Sequence, residues 1–249
     1  MRMTSNNNDI IPSWPAPDNI VALCTTRSHV HSLGVYGKAN YGLHVGDKTT
    51  AVTANRAALL ERLPLNNIAW LEQVHGNKVV AAQADTVAVA DGNFTQQQGL
   101  ACAVMTADCL PLLLTNYDGS QVAAIHCGWR SLAQGIVANA VNSFTCKPSE
   151  IIAWLGPAIG PRCFEVGQDV VDSFSVLPWF QSDAFEPQKS GKYLADIYTL
   201  ARYALVDSGV IAVSGGDYCT VSDEARFYSY RRDGDTGRMV SLIFMSDAT

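Results

Sequence analysis

The sequence lacks any long apolar run, any C-x-x-C pair and any block of like charge. Its longest apolar stretches, such as Leu110-Pro111-Leu112-Leu113-Leu114, fall far short of the roughly 20 residues that cross a bilayer. A membrane-spanning helix is therefore not expected. Charged residues make up only 16% of the chain, the net charge is −6, and like charges run no further than pairs such as Arg231-Arg232. That pattern excludes a nucleic-acid backbone or an anionic membrane as the expected partner and leaves a small molecule. The opening stretch MRMTSNNNDIIPSWPAPDN has no apolar segment behind its Arg, so no secretory leader is expected there. Residues 1–19 are expected to form a flexible tail. The seven cysteines are an odd number and scattered, as in a cytoplasmic protein with reduced thiols. Most of them are expected to act as small core hydrophobes.

What is present is apolar: 48% of the 249 residues are hydrophobic, enough to fill one sizeable core. No repeat or inner linker divides the chain, so residues 20–249 are expected to form a single domain. Ile68 to His75, a Gly76 turn and Asn77 to Val80 read as strand, turn, strand. Leu100 to Met105, Leu112 to Thr115 and Val122 to His126 read as buried strands. Helical spacing covers Ser131 to Val141, with further helices expected over Thr49 to Leu63 and Leu194 to Asp207. A few helices among many short strands, without regular alternation, indicate an α+β fold with mixed sheets.

Three polar residues, His75, Cys109 and His126, fall at or near strand ends beside Gly76, Pro111 and Gly128, where a side chain can face a cleft from a rigid scaffold. Two imidazoles and a thiolate suit zinc with a fourth position open. The same atoms would serve a Cys109 nucleophile activated by His126, and the spacing matches no local zinc signature. On residue types alone, buried hydrogen-bonded histidines and an inert thiol are a third reading.

The strings Gln73-Val74-His75-Gly76, Thr106-Ala107-Asp108-Cys109-Leu110-Pro111 and His126-Cys127-Gly128-Trp129-Arg130 resemble the defining motifs of the laccase-domain, or polyphenol-oxidase-like, family. Thr25-Thr26-Arg27, Asn40 with His44-Val45-Gly46-Asp47, Asn55-Arg56, Leu155 to Gly160 and Phe227 to Asp233 extend the resemblance over nearly the whole chain. Departures are His29-Val30 in place of a Gly-Gly pair, Cys127 for alanine and Ser131 for glycine. The resemblance implies a four-layer α/β/β/α sandwich like that of cysteine-hydrolase-type toxins, and a single zinc held by His75, Cys109 and His126. It also implies phosphorolysis of purine nucleosides (adenosine, inosine, guanosine, methylthioadenosine), with adenosine deamination. A peptidoglycan-precursor amidase and a copper-dependent phenol oxidase are the alternatives it carries.

On that footing, Asp108 is expected to orient an imidazole or act as a base. Arg27 matches phosphate with its fork of donors. Asn40 and His44 are expected to meet base or ribose, with His44 also a proton donor to the purine. Arg130 is expected to pair with an anionic substrate, and Trp129 to pack in the core. The protein is expected to work as a monomer or weak homo-oligomer.

Overall fold

The computed structural model describes residues 8–27 and 31–246. A four-stranded sheet has the order β1 (Ile20–Cys24), β15 (Met239–Met245), β7 (Leu100–Thr106), β2 (Asn67–Ala69). A six-stranded sheet runs β14 (Ala212–Gly215), β10 (Ile151–Leu155), β8 (Leu110–Asn116), β9 (Val122–Cys127), β6 (Gly92–Thr95), β4 (Val79–Ala81). Both mix parallel and antiparallel pairs. Two small sheets join β11 (Glu165–Val166), β13 (Tyr193–Ala195) and β12 (Phe185–Pro187), and β3 (Leu71–Glu72) with β5 (Ala88–Val89). The helices are α1 (Thr49–Glu61), α2 (Trp129–Ala133), α3 (Ile136–Asn142), α4 (Gln168–Ser175), α5 (Ile197–Asp207) and α6 (Tyr230–Asp233).

Strand alternation explains the packing. On β8, Leu110, Leu112 and Leu114 join Leu132, Ile136, Val137, Phe174 and Leu200 from α2 to α5. Leu113, between them, meets Cys102 and Val104 of β7 and Ile243 of β15. On β7 the intervening Ala101, Ala103 and Met105 turn toward Leu59 of α1. Each fully buried leucine contributes about 1.5–3 kcal/mol. This is a mixed α/β fold with helices against both sheets.

Several expectations change in detail. The helix read over Ser131 to Val141 is two helices, because Gly135 takes a left-handed φ of 82° and breaks the ladder. Its apolar positions 132, 136, 137, 140 and 141 are still buried. The last long helix starts at Ile197, capped by the Asp196 carboxylate, which accepts from the Tyr198 and Thr199 amides. Leu194 belongs to β13. Ile68 to Val80 is no hairpin: β2, β3 and β4 lie in three different sheets, each paired parallel to a later strand. Pro111 lies inside β8 rather than before it. The N–H it lacks would face Gly156, whose carbonyl takes the Tyr198 hydroxyl instead, at 3.2 Å. Of the expected tail, residues 1–7 lie outside the described residues, while Ile10 is buried and bridges Cys24. Among the described residues no helix is long and apolar enough to cross a membrane.

All seven cysteines are free. Cys24, Cys102 and Cys127 are buried, and burial pushes their thiols up, Cys24 to about 12. Native alkylation of the metal-free protein at mildly alkaline pH is therefore expected to label Cys109, Cys146, Cys163 and Cys219 only, with all seven labelled after denaturation. Mass mapping that found Cys102 or Cys127 labelled in the native protein would contradict this packing.

Candidate metal centre

The site forms where the chain steps between the two large sheets. β7 ends at Thr106 and β8 begins at Leu110, so Ala107, Asp108 and Cys109 make the crossing. Asp108 takes a φ of 92°, a region uncommon for side-chain-bearing residues and better tolerated by Asp than by most. The turn is fastened on every side. The Asp108 carboxylate accepts from the Thr220 hydroxyl and the Arg231 amide, both at 2.6 Å, and its carbonyl accepts from the Ile159 amide at 2.9 Å.

His126 enters from β9, paired opposite Pro111, with Cys127 opposite Leu110. This register sets Gly128 beside Cys109. A Cβ on Gly128 would stand 3.2 Å from the Cys109 sulfur, 3.2 Å from the His75 ring and 3.6 Å from His126. Glycine is thus favoured by close approach to the three donors, not by backbone conformation, since its φ is −63°. His75 follows β3 in a left-handed turn, φ 58°. The Gln73 amide docks this loop on Met105, donating to its carbonyl at 2.9 Å and accepting from its N–H at 2.8 Å.

Asp91 holds the two histidines in place. Its Oδ1 accepts from the His75 amide at 2.9 Å and from His126 Nδ1 at 2.8 Å. Oδ2 accepts from the Gly76 amide at 2.7 Å and the Val74 amide at 3.2 Å. Three successive N–H groups turned on one carboxylate make an anion nest. With Nδ1 committed to Asp91, His126 offers Nε2 to the cleft.

His75, Cys109 and His126 each offer one donor atom, and these lie within 4.8 Å of one another. His75 Nε2 is 3.8 Å from the Cys109 sulfur, and the imidazoles meet edge to face at 4.8 Å between centroids. Burial raises the Cys109 thiol, but the two imidazoles outweigh it and hold the thiol down to about 6. Thiolate and imidazole nitrogens are borderline-soft donors suited to zinc, and three of them leave one position open. The donor set fits the implied metal.

The cluster opens into a cavity of about 320 Å³ walled by Trp129, Ile159, Phe164, Ile197 and Tyr230, with Asp108, Arg130 and Arg231 also on its lining. Arg130 is exposed, its guanidinium 4.4 Å above the Trp129 ring. Trp129 both packs on the core and faces the cavity.

Other expected site residues lie elsewhere. Arg27 stacks on Tyr228 at 4.7 Å and donates to the Glu224 carbonyl; it does not line this cavity. Asn40 is fully buried, its amide donating to Gly42 and Asp47 and accepting from the Gly42 and Arg238 N–H groups. All four of its bonding positions are used, so it shapes the loop before His44 rather than meeting a base. His44 feels burial first, then Arg238 and Arg56, which lower its pKa, and both site imidazoles are within electrostatic reach. The imidazole-orienting role expected of Asp108 belongs to Asp91. His29 and Val30 lie outside the described residues.

Over residues 21–246 the sequence matches the family described as multi-copper polyphenol oxidoreductase laccase. The chain belongs to that family. A Pseudomonas aeruginosa protein named purine nucleoside phosphorylase is 47% identical over 96% of this chain and 98% of its own. The Escherichia coli K12 purine nucleoside phosphorylase YfiH is 46% identical over 95% and 98%. Among solved structures, a Neisseria meningitidis protein of the family called DUF152 superposes with a TM-score of 0.94 at 46% identity, covering 96% of this chain and 100% of that one. The Geobacillus stearothermophilus protein YlmD superposes at 0.87 with 32% identity, covering 96% and 100%.

Proposed function

We propose that this family member is a zinc-dependent purine nucleoside phosphorylase with a secondary adenosine deaminase activity. The observation that carries the reading is the three-donor cluster opening into a small cavity with aromatic walls and an exposed arginine, Arg130, on its lining. Apolar and aromatic surfaces accept a purine face. Relatives bearing the phosphorylase name support the reaction class.

In this reading His75, Cys109 and His126 hold the metal, which when bound supplies Lewis-acid polarisation of a substrate oxygen or an activated water. The Arg130 guanidinium, exposed on the cavity lining, takes the phosphate. It replaces Arg27 in that role, because Arg130 lines the cavity and Arg27 does not. Asp108 keeps the crossover rigid and lines the same cavity, where its carboxylate can accept a proton from the attacking water in deamination. His44, whose pKa is lowered by burial first and then by Arg238 and Arg56, hydrogen-bonds the purine and donates to it as it leaves. The stacking of α1, two sheets and the remaining helices supports the four-layer α/β/β/α sandwich, and through it the likeness to cysteine-hydrolase-type toxins. Seven free thiols support a reducing, cytoplasmic setting. We read residues 20–249 as one catalytic domain, active as a monomer or weak homo-oligomer.

Zinc-loaded protein given inosine or adenosine is expected to release free base only when phosphate is present, with ribose 1-phosphate as co-product. Ammonia from adenosine reports the deaminase activity. If neither free base nor ammonia appears, the nucleoside reading fails.

The Cys109 thiol held down by two imidazoles also supports a Cys-His amidase acting on peptidoglycan precursors. Full activity after chelation, with an acyl group trapped on Cys109, would select it. Copper phenol oxidation has less support: among the described residues there is one three-donor group, whereas multicopper electron transfer needs several.

A further inference from the structure

Two half-buried thiols that the proposed reaction does not use meet behind the cavity wall. Cys163 follows the Gly160-Pro161 turn, and Cys219 lies in the loop after β14. The Ser222 hydroxyl touches both, 3.3 Å from the Cys219 sulfur and 3.6 Å from the Cys163 sulfur. The Gly160 amide donates to the Cys219 sulfur at 3.3 Å. That approach needs glycine, since a Cβ there would come within 2.9 Å of Cys219 Cβ and 3.1 Å of its sulfur.

The surroundings favour a reactive sulfur. Burial raises the Cys219 thiol, yet the Ser222 hydroxyl and amide, the Gly160 amide and the Cys163 thiol outweigh it and lower the thiol below its ordinary value. Cys24, Cys102, Cys127 and Cys146 are all pushed up. A half-exposed thiol that accepts several hydrogen bonds, with a second thiol beside it, is the arrangement that hydroperoxides oxidise selectively.

We propose that Cys163 and Cys219 are a modification site: a hydroperoxide-sensitive thiol pair that closes a reversible disulfide next to the cavity. The Cys219 sulfur attacks the peroxide, an S–O bond forms as the O–O bond breaks, and the departing hydroxide leaves as water after protonation. The Cys163 sulfur then attacks the sulfenic acid, an S–S bond forms as the S–O bond breaks, and the Cys163 proton leaves with the oxygen as a second water. Two thiols lose two electrons and one peroxide gains them. The consequence reaches the site through neighbours. Thr220, next to Cys219, holds Asp108, and the Cys163 carbonyl accepts from Arg231 Nη1 at 3.3 Å.

The test uses the full-length, zinc-loaded chain treated with hydrogen peroxide, quenched by alkylation and read by intact mass and peptide mapping. The expected product has lost two hydrogens, yields a linked Cys163–Cys219 peptide and reverts with dithiothreitol. Cys163→Ser is expected to leave Cys219 as a sulfenic acid that dimedone captures. Cys219→Ser is expected to leave Cys163 a free thiol under the same dose. The proposal is overturned if Cys219 goes to sulfinic acid with Cys163 untouched in the wild-type chain. It is equally overturned if Cys109 or Cys146 is consumed while the pair stays reduced. None of these readouts depends on nucleoside turnover, so they stand apart from the functional reading.

Discussion

Cys109→Ala is expected to give a folded chain that no longer holds stoichiometric zinc and no longer releases base from inosine. Cys109 is only half-buried at the crossover and belongs to none of the three core clusters, so its truncation costs little packing. It does remove the one anionic donor of the three. Changes to outer groups that merely orient a ligand cost about 10–100-fold in metal affinity, and losing a ligand atom costs more. Metal content after gel filtration should fall from about one ion per chain to background. Thermal unfolding separates the metal effect from general damage. A ligand at about 1,000 times its Kd adds about 4 kcal/mol, so added zinc should raise the wild-type melting temperature and leave the variant's unchanged. A variant that keeps one ion with wild-type affinity would remove Cys109 from the centre.

Asp91→Asn is expected to be nearly as damaging, although its side chain faces no substrate. Both Asp91 oxygens accept, and all four groups around them donate. An asparagine amide replaces one acceptor with a donor, leaving two N–H groups without a partner, at up to about 1–3 kcal/mol each where they are buried. One escape is for His126 to change tautomer and accept from the new amide at Nδ1. That moves its proton to Nε2, where a metal must bind. Either route weakens the centre, so zinc affinity should drop at least about 10–100-fold, with a lower melting temperature in the zinc-free protein. Competition against a chelating dye measures the first effect and calorimetry the second; unchanged values in both would mean that Asp91 does not position the histidines.

Much of this protein was legible along the chain. The apolar spacing from Leu132 to Val141 marks the buried face correctly even though Gly135 splits the helix. The strands around Cys109 were visible as apolar runs, within one or two residues of their ends. Expectations failed where pairing, not local pattern, decides. Ile68 to Val80 looks like a hairpin because alternation and a glycine turn say so, but each piece finds a partner from a later segment. Pro111 reads as a strand breaker, yet its missing N–H falls at the edge where β10 has already ended.

Asp91 was the residue missed. Within Ala90-Asp91-Gly92 it looks like a turn acid, and the one signal to the contrary is a carboxylate between buried small residues, which demands donors. Those donors come from residues 74 to 76 and from His126, and nothing in the linear order brings them together. Asn40 and Arg27 were read from motif strings as substrate contacts. The fold instead saturates the first and sets the second off the cavity lining.

The sequence by itself determined which residues fill the core, because hydrophobic periodicity is a property of residue types, and its family resemblance singled out His75, Cys109 and His126 as a metal set that residue types alone left open. Only the tertiary structure decided that Cys109, His126 and His75 share one opening, that Asp91 aims the histidines, and that Cys163 lies beside Cys219. Those contacts join residues tens of positions apart through strand register and sheet crossover, which the whole core sets and no local stretch encodes.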